Sequence, residues 1–284
     1  MAKVRDGLVR LALVASLLIP LWFLVAALGT KFGLLDWRVG FGQMTYGAVK
    51  PVVAGLGWAV LAMLGAALLG LVSLVLAFSV QPRRGWPMAL VALAIPLAGL
   101  GYGAQVRKST EGVPPIHDIS TDLADPPGFS EAVVTARAAV PDGNGLDLTT
   151  ATLPDAARFG PLAGKRVVEV HRTAYADLKP LTTDAPPIDA FQVALDAAEA
   201  QPGWIVDRHD AAAGTIEAHA TSFWYGFVDD IAIRVRPLAD GSGATVDVRS
   251  ASRVGLSDMG ANARRIRGYL ATLDGKLGEA ATGG

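Results

Sequence analysis

The stretch DVRSASRVGLSDMGANARRIRGYL, residues 247–270, concentrates five arginines and three serines. Between positions 249 and 267 the arginines face one acid, Asp258. Guanidinium forks beside the free N–H groups of a helix start suit a phosphate or a carboxylate. The ligand-binding set this predicts is Arg249, Ser250, Ser252, Arg253, Ser257, Asp258, Asn262 and Arg265. The same residues also allow a purely internal role. The serines and Asp258 would then satisfy backbone groups. The arginines would pair with Asp118, Asp122, Asp125, Asp229 or Asp230. Both readings stand on the sequence.

Other residues invite weaker chemistry. His117, Asp118 and Asp122 have the donor types of a metal site, but no second histidine lies nearby in sequence. Capping and ion pairing explain them better. Asp229 and Asp230 look like a carboxylate pair, yet neighbours on a strand point to opposite faces. His209 and His219 flank a turn and suit a solvated strand. Trp224, with Tyr225 and Phe227, forms an aromatic cluster expected in the core, or else at a ligand groove or a lipid surface. No G-x-S-x-G elbow, P-loop or strand-borne G-x-G-x-x-G occurs. With no cysteine, thiolate chemistry and disulfides are excluded. No cofactor and no metal are expected.

The elements that would position these residues fall in two parts. Residues 1–104 carry eight Lys/Arg and two acids, a net of +6, whereas residues 105–284 carry 17 and 24, a net of −7. An acidic domain argues against nucleic acid as a partner. The expected organisation is a membrane anchor over 1–109 and a soluble domain over 110–284.

Charge is absent from Leu11 to Thr30, from Pro51 to Pro82 and from Gly85 to Val106. Each run reaches the roughly 20 residues that cross a bilayer core. Helices are predicted near 9–29, 53–79 and 87–105, the first an uncleaved anchor rather than a signal peptide. Ala62, Ala66 and Gly70 supply small residues for helix packing. Three crossings place the N-terminus and the large domain on opposite sides. Basic residues tie at five against five, and the tight Arg83-Arg84 turn tips the assignment to a multi-pass bacterial inner-membrane protein with a periplasmic domain.

In the soluble part, residues 106–128 suit an extended linker or a segment lying across the domain. A helix is predicted over 189–201, capped by Asp189. Strand-like runs follow at 204–209, 214–222, 229–238 and 244–252, then a helix near 258–277. Ile216, Ala218, Ala220, Ile231, Ile233, Val235, Val246 and Val248 alternate with Glu217, His219, Arg234, Arg236, Asp247 and Arg249. One sheet face is therefore apolar and needs covering helices. The fold class is α+β, a three-helix transmembrane bundle followed by an antiparallel sheet in a two-layer sandwich.

PPIHDISTDLADPPGF (114–129), AYADLKPL (174–181), SFWYGFVDDIAIRVRP (222–237) and DVRSASRVGLSDMGANARRI (247–266) together resemble the signature blocks of a bacterial and plastid family, domain of unknown function 1499. The resemblance covers nearly all of 114–275, and the four blocks occur in order. Tyr-Ala-Asp stands at 175–177 where the family pattern has Tyr-Pro-Asp, which bears on the local turn only. The resemblance implies one module, often preceded by membrane helices, and supplies no activity. The function expected is a non-enzymatic envelope module binding an anionic ligand, a lipid or a partner protein. Its bilayer contact would come through the three helices. The alternatives are a metal- or carboxylate-dependent envelope hydrolase using His117 with Asp118, Asp122 or Asp230, and a scaffold subunit of a membrane complex.

Overall fold

The computed structural model describes residues 1–51 and 56–283. The chain divides into two compact units, Met1–Glu111 with Phe223–Gly226, and Gly112–Ser222 with Phe227–Gly284.

The first unit holds α1 (Ala2–Lys31), α2 (Trp58–Ser79) and α3 (Trp86–Thr110). All three are long and apolar enough to cross a membrane. α1 and α3 outrun the uncharged segments because their polar ends keep the helical hydrogen bonds. α2 begins at Trp58, and residues 53–55 of the predicted second span lie outside the described residues. Small residues set the helix spacing: a Cβ at Gly70 would lie 2.9 Å from the Leu93 backbone. Ser16 donates to the Ala92 carbonyl at 2.6 Å, joining α1 to α3. Arg5 is buried at the start of α1, where it pairs with Asp6 and donates to the carbonyls of Val80 and Pro82.

The second unit is an antiparallel sheet covered by helices. Its elements are β1 (Asp118–Ser120), α4 (Glu131–Ala138), α5 (Val167–Ala174), β2 (Leu181–Thr183), α6 (Pro187–Glu199), β3 (Trp204–Asp210), β4 (Thr215–Thr221), β5 (Val228–Pro237), β6 (Ala244–Ser252) and α7 (Ala261–Gly283). The order is β1-β6-β5-β4-β3, with β2 pairing β6 beside β1. The four predicted strands are the meander β3–β6. β1 and β2 are three residues each and carry too little periodicity to stand out. α6 starts two residues before the predicted Asp189 cap, because Pro187 presets the first helical φ.

The apolar alternation holds along the meander. Ile216, Ile231, Ile233, Val246 and Val248 are buried under Phe191 and Leu195 of α6 and Ile266, Tyr269 and Leu273 of α7. Tyr269 stacks on Trp204 at 5.3 Å and donates to the Ala194 carbonyl at 3.0 Å, which ties α7 to α6.

The opposite, charged face is largely covered. Glu217, Asp247 and Arg249 on it are buried. The segment from 121 to 130 lies across it. Asp125 takes ion pairs from Arg234 at 3.0 Å and Arg236 at 3.1 Å. Asp122 pairs with Arg236 at 3.3 Å. Of the segment that composition allows as a linker, residues 112–128 are therefore part of the domain, while 106–110 are the end of α3.

Candidate functional site

The candidate corner is built by the end of β6, the turn after it and the start of α7. The 3.6- and 2-residue periods decide which group meets which. On the helix side, Ser250 Oγ donates to Asn262 Oδ1 at 2.7 Å, and Asn262 Nδ2 donates to Ser252 Oγ at 3.0 Å and the His117 carbonyl at 2.9 Å. Arg265 contacts this pair and bridges to Asp229 at 2.7 Å. Asp258 caps α7 by accepting from the N–H groups of Gly260 and Asn262. Burial pushes its carboxyl above the ordinary range. Ser257 Oγ accepts from Met259 N–H, where Met259 holds a left-handed φ of 52°.

On the other face Arg249 makes a two-pronged pair with Asp118, at 2.9 and 2.6 Å, with both side chains buried. It also donates to the carbonyls of Pro127 and Leu146 and lies over the Phe129 ring. One arginine thus joins β6 to β1, to the covering segment and to the loop at 146. Arg253 grips Asp230 at 2.7 Å. Arg137 of α4 reaches the same carboxylate at 2.8 Å and the carbonyls of Ala251 and Ser252. Asp229 and Asp230 therefore serve opposite faces, as strand geometry requires.

Of the eight predicted residues, Ser250, Ser252, Asp258, Asn262 and Arg265 are linked to one another by hydrogen bonds, Ser257 serves the adjoining turn, and Arg249 and Arg253 lie on the opposite face of the sheet. Arg249, Arg253 and Arg265 each have a carboxylate partner. Arg264 is exposed, and among the described residues its guanidinium donates only to the Met259 carbonyl. Arg137 escaped the sequence reading: an alanine-rich polar helix gives no sign that its arginine is buried.

The secondary candidates scatter. Asp118 and Asp122 serve different arginines, and no group of three or more His, Asp or Glu side chains is placed to hold a metal among the described residues. His219 pairs with Asp207 at 2.7 Å. His209 lies 6.5 Å from the Phe191 ring. Trp224 is not in the core: it is 52% exposed, because the loop that carries it projects from the sheet.

A second polar cluster lies where β1 meets α5. His171 Nε2 accepts from Ser120 N–H at 3.2 Å, and its ring stands edge-on to Tyr175 at 5.5 Å. Burial lowers the His171 pKa to about 4, opposed by the Asp118 charge. Burial likewise lowers His117 and pushes Tyr175 up to about 12.

A concavity of about 320 Å³ lies on the charged sheet face, between the covering segment and β3–β5. Phe129, Ser130, Arg208, Glu217 and Arg234 are among its walls. Glu217 is engaged, accepting from Ser130 Oγ at 2.6 Å. Arg234 is held by Asp125 and by Asp247. Arg208 pairs with Glu217 in the ladder at a bulge in β3 and is exposed, and its guanidinium has no hydrogen-bond or ion-pair partner among the described residues. A bulge re-aims the side chain it carries.

The model of one protein family matches residues 118–273, from the first strand of the sheet to the middle of α7. The chain belongs to DUF1499, described as a protein of unknown function. The DUF1499 match contains the buried ion pairs, the Asn262 cluster and the cleft, and leaves the three membrane-type helices outside it. No match to this chain was found among curated proteins or among solved structures.

Proposed function

We propose that the protein is a multi-pass bacterial inner-membrane protein whose periplasmic α+β domain is a non-enzymatic module that binds an anionic small ligand. The observation that carries this reading is the cleft on the charged sheet face with Arg208 at its wall. Arg234, Arg236 and Arg249 on that face are neutralised by carboxylates. Arg208 alone among the four is left to meet an external anion. The cleft volume lies at the small end of ligand sites, and Phe129 offers apolar surface beside the charge. A guanidinium in such a setting takes a carboxylate or phosphate through two parallel bonds.

A catalytic reading has less to build on. His117, Asp118, Asp122 and Asp230 do not converge, and Asp118 and Asp230 are each spent on a buried arginine. The inner-membrane and periplasmic placement rests on the charge-free spans and the Arg83-Arg84 turn.

Native mass spectrometry of the full-length chain from mild detergent tests the proposal. An acidic adduct of defined mass, kept by the wild type and lost in Arg208→Ala, is the expected result. A chain that carries no adduct overturns it.

A second reading keeps the anion at the α7 corner. Its support is the residual exposure of Arg253, at 23%, and of Arg265, at 16%, beside the exposed Arg264. In that case Ser257, Asp258 and the helix start frame the ligand, and Arg249, Ser250, Ser252 and Asn262 hold the frame. Arg264→Ala, rather than Arg208→Ala, would then remove the adduct.

A further inference from the structure

The loop between β4 and β5 presents aromatic surface that the sheet does not use. Ser222 and Phe227 close it: Ser222 N–H donates to the Phe227 carbonyl at 2.7 Å, and Phe227 N–H donates to Ser222 Oγ at 2.9 Å. At its tip Phe223 is 72% exposed and Trp224 52% exposed, packed edge to face at 5.0 Å. Two large adjoining rings in water are a standing free-energy cost, of roughly 25 cal/mol per Å² of apolar surface left wet.

Residues 223–226 belong to the same compact unit as the membrane-type helices. Lys31, the last residue of α1, donates to the Phe223 carbonyl at 2.7 Å, and its ammonium lies 4.7 Å over the Phe223 ring. Tyr225 shares a hydrogen bond with Thr45 at 2.7 Å. Gly226 has φ +70°, and a Cβ there would lie 3.3 Å from Lys31 Cα, so the close approach needs glycine. Exposed Phe and Trp beside a lysine at the end of an apolar helix is the residue set of the bilayer interface. Chain topology agrees. An odd number of crossings puts the end of α1 and the end of α3 on one side of a bilayer, and the sheet follows α3.

We infer that Phe223 and Trp224 seat in the interfacial layer of the bilayer and act as a fourth membrane attachment. The occupant is lipid, at the depth of the Lys31 ammonium. This stands apart from the anion cleft and requires only that the three helices span.

The chain has no cysteine, so single sites can be spin-labelled without background. Phe223→Cys and Trp224→Cys are labelled in the full-length protein, reconstituted in phosphatidylcholine vesicles. Asp240→Cys on the β5–β6 turn is the aqueous reference. Leu18→Cys, on the 57% exposed face of α1, is the lipid reference. Collision with oxygen and with a water-soluble nickel chelate is read for each. The expected result is oxygen preferred over nickel at 223 and 224, intermediate between the two references. Nickel access equal to that at 240 overturns the inference. Shielding from both reagents also overturns it and points to a protein covering the loop. Aqueous behaviour at Leu18→Cys would instead overturn the membrane reading itself. A label-free check uses Trp224→Phe, which keeps an apolar ring. Quenching of wild-type tryptophan emission by brominated lipid must lose a component in this variant, and an unchanged quenched fraction sinks the idea.

Discussion

Arg249 and Asp118 allow a quantitative test of how the charged face is held. Both are buried and joined by two short hydrogen bonds. Asp118→Asn keeps the shape but leaves a guanidinium charge without its counter-ion. Breaking one side of a buried pair costs about 3–5 kcal/mol. Whole domains are stable by about 5–15 kcal/mol, so the loss is a large share. At about 2–4 °C per kcal/mol for a unit of this size, the unfolding midpoint falls by roughly 10 °C. Asp118→Leu with Arg249→Met removes both charges together. The double variant avoids the stranded charge but leaves the Pro127 and Leu146 carbonyls without a donor, at about 1 kcal/mol each. It should therefore be about 2 kcal/mol more stable than Asp118→Asn. Guanidinium unfolding of the full-length chain in mild detergent, read by near-ultraviolet circular dichroism from the stacked Trp204–Tyr269 pair, measures each variant. A loss below about 1 kcal/mol for Asp118→Asn, or a double variant worse than it, would refute the brace.

Three further outcomes are expected. His171 titrates near 6.5 when unfolded and at about 4 when folded, so its contribution is complete above pH 6.5 and is lost as pH falls toward 4. The span corresponds to roughly 3 kcal/mol, and His171→Gln, which can still accept from Ser120 N–H, should flatten the midpoint-versus-pH curve in that window. Asn262→Ala removes the acceptor of Ser250 Oγ and the donor to Ser252 Oγ, while the His117 carbonyl keeps the Ser252 N–H at 2.9 Å, for a loss of about 2 kcal/mol in the same unfolding assay. Gly70→Leu drives side-chain atoms into the α3 backbone at Leu93, and should lower the yield of folded protein in detergent while Gly65→Leu, in open space on the same helix, does not.

The parts of the fold legible in the sequence are those whose periodicity is set by burial. Charge-free runs marked the three long helices. Strict alternation placed Ile231, Ile233, Val246 and Val248 inward because β5 and β6 each have one face under helices. The same alternation hid the fate of the other face. Glu217, Asp247 and Arg249 read only as the charged side of the sheet, since a polar residue covered by a distant polar segment has no local signature. β1 and β2 were invisible for a related reason: three residues cannot establish a period, and their stability comes from pairing with β6. At the corner, the types and neighbourhood of Ser250, Asn262 and Arg265 are readable, and Asp118, Asp229 and Asp230 stand among the acids offered as partners for the arginines, but which arginine takes which acid is not. Pairing across 131 residues, as between Arg249 and Asp118, is set by topology rather than by neighbours. Arg208 drew no notice because a bulge that re-aims a side chain leaves no pattern of types.

The position of β1 beside β6 also orders events during synthesis. β1 is the first strand of the domain to leave the ribosome, and its partner is the last. At about 5–20 residues per second, the 131 residues from Asp118 to Arg249 take roughly 7 to 26 seconds to make. Throughout that interval α1 to α3 are already available for insertion. The acidic segment after α3 waits unpaired, and its negative charge keeps it hydrated. The meander can form early, but the charged face closes only when β6 arrives. A chain stopped before Ala244 therefore cannot retain a weakened version of this domain, because the strand that joins its beginning to its end is missing.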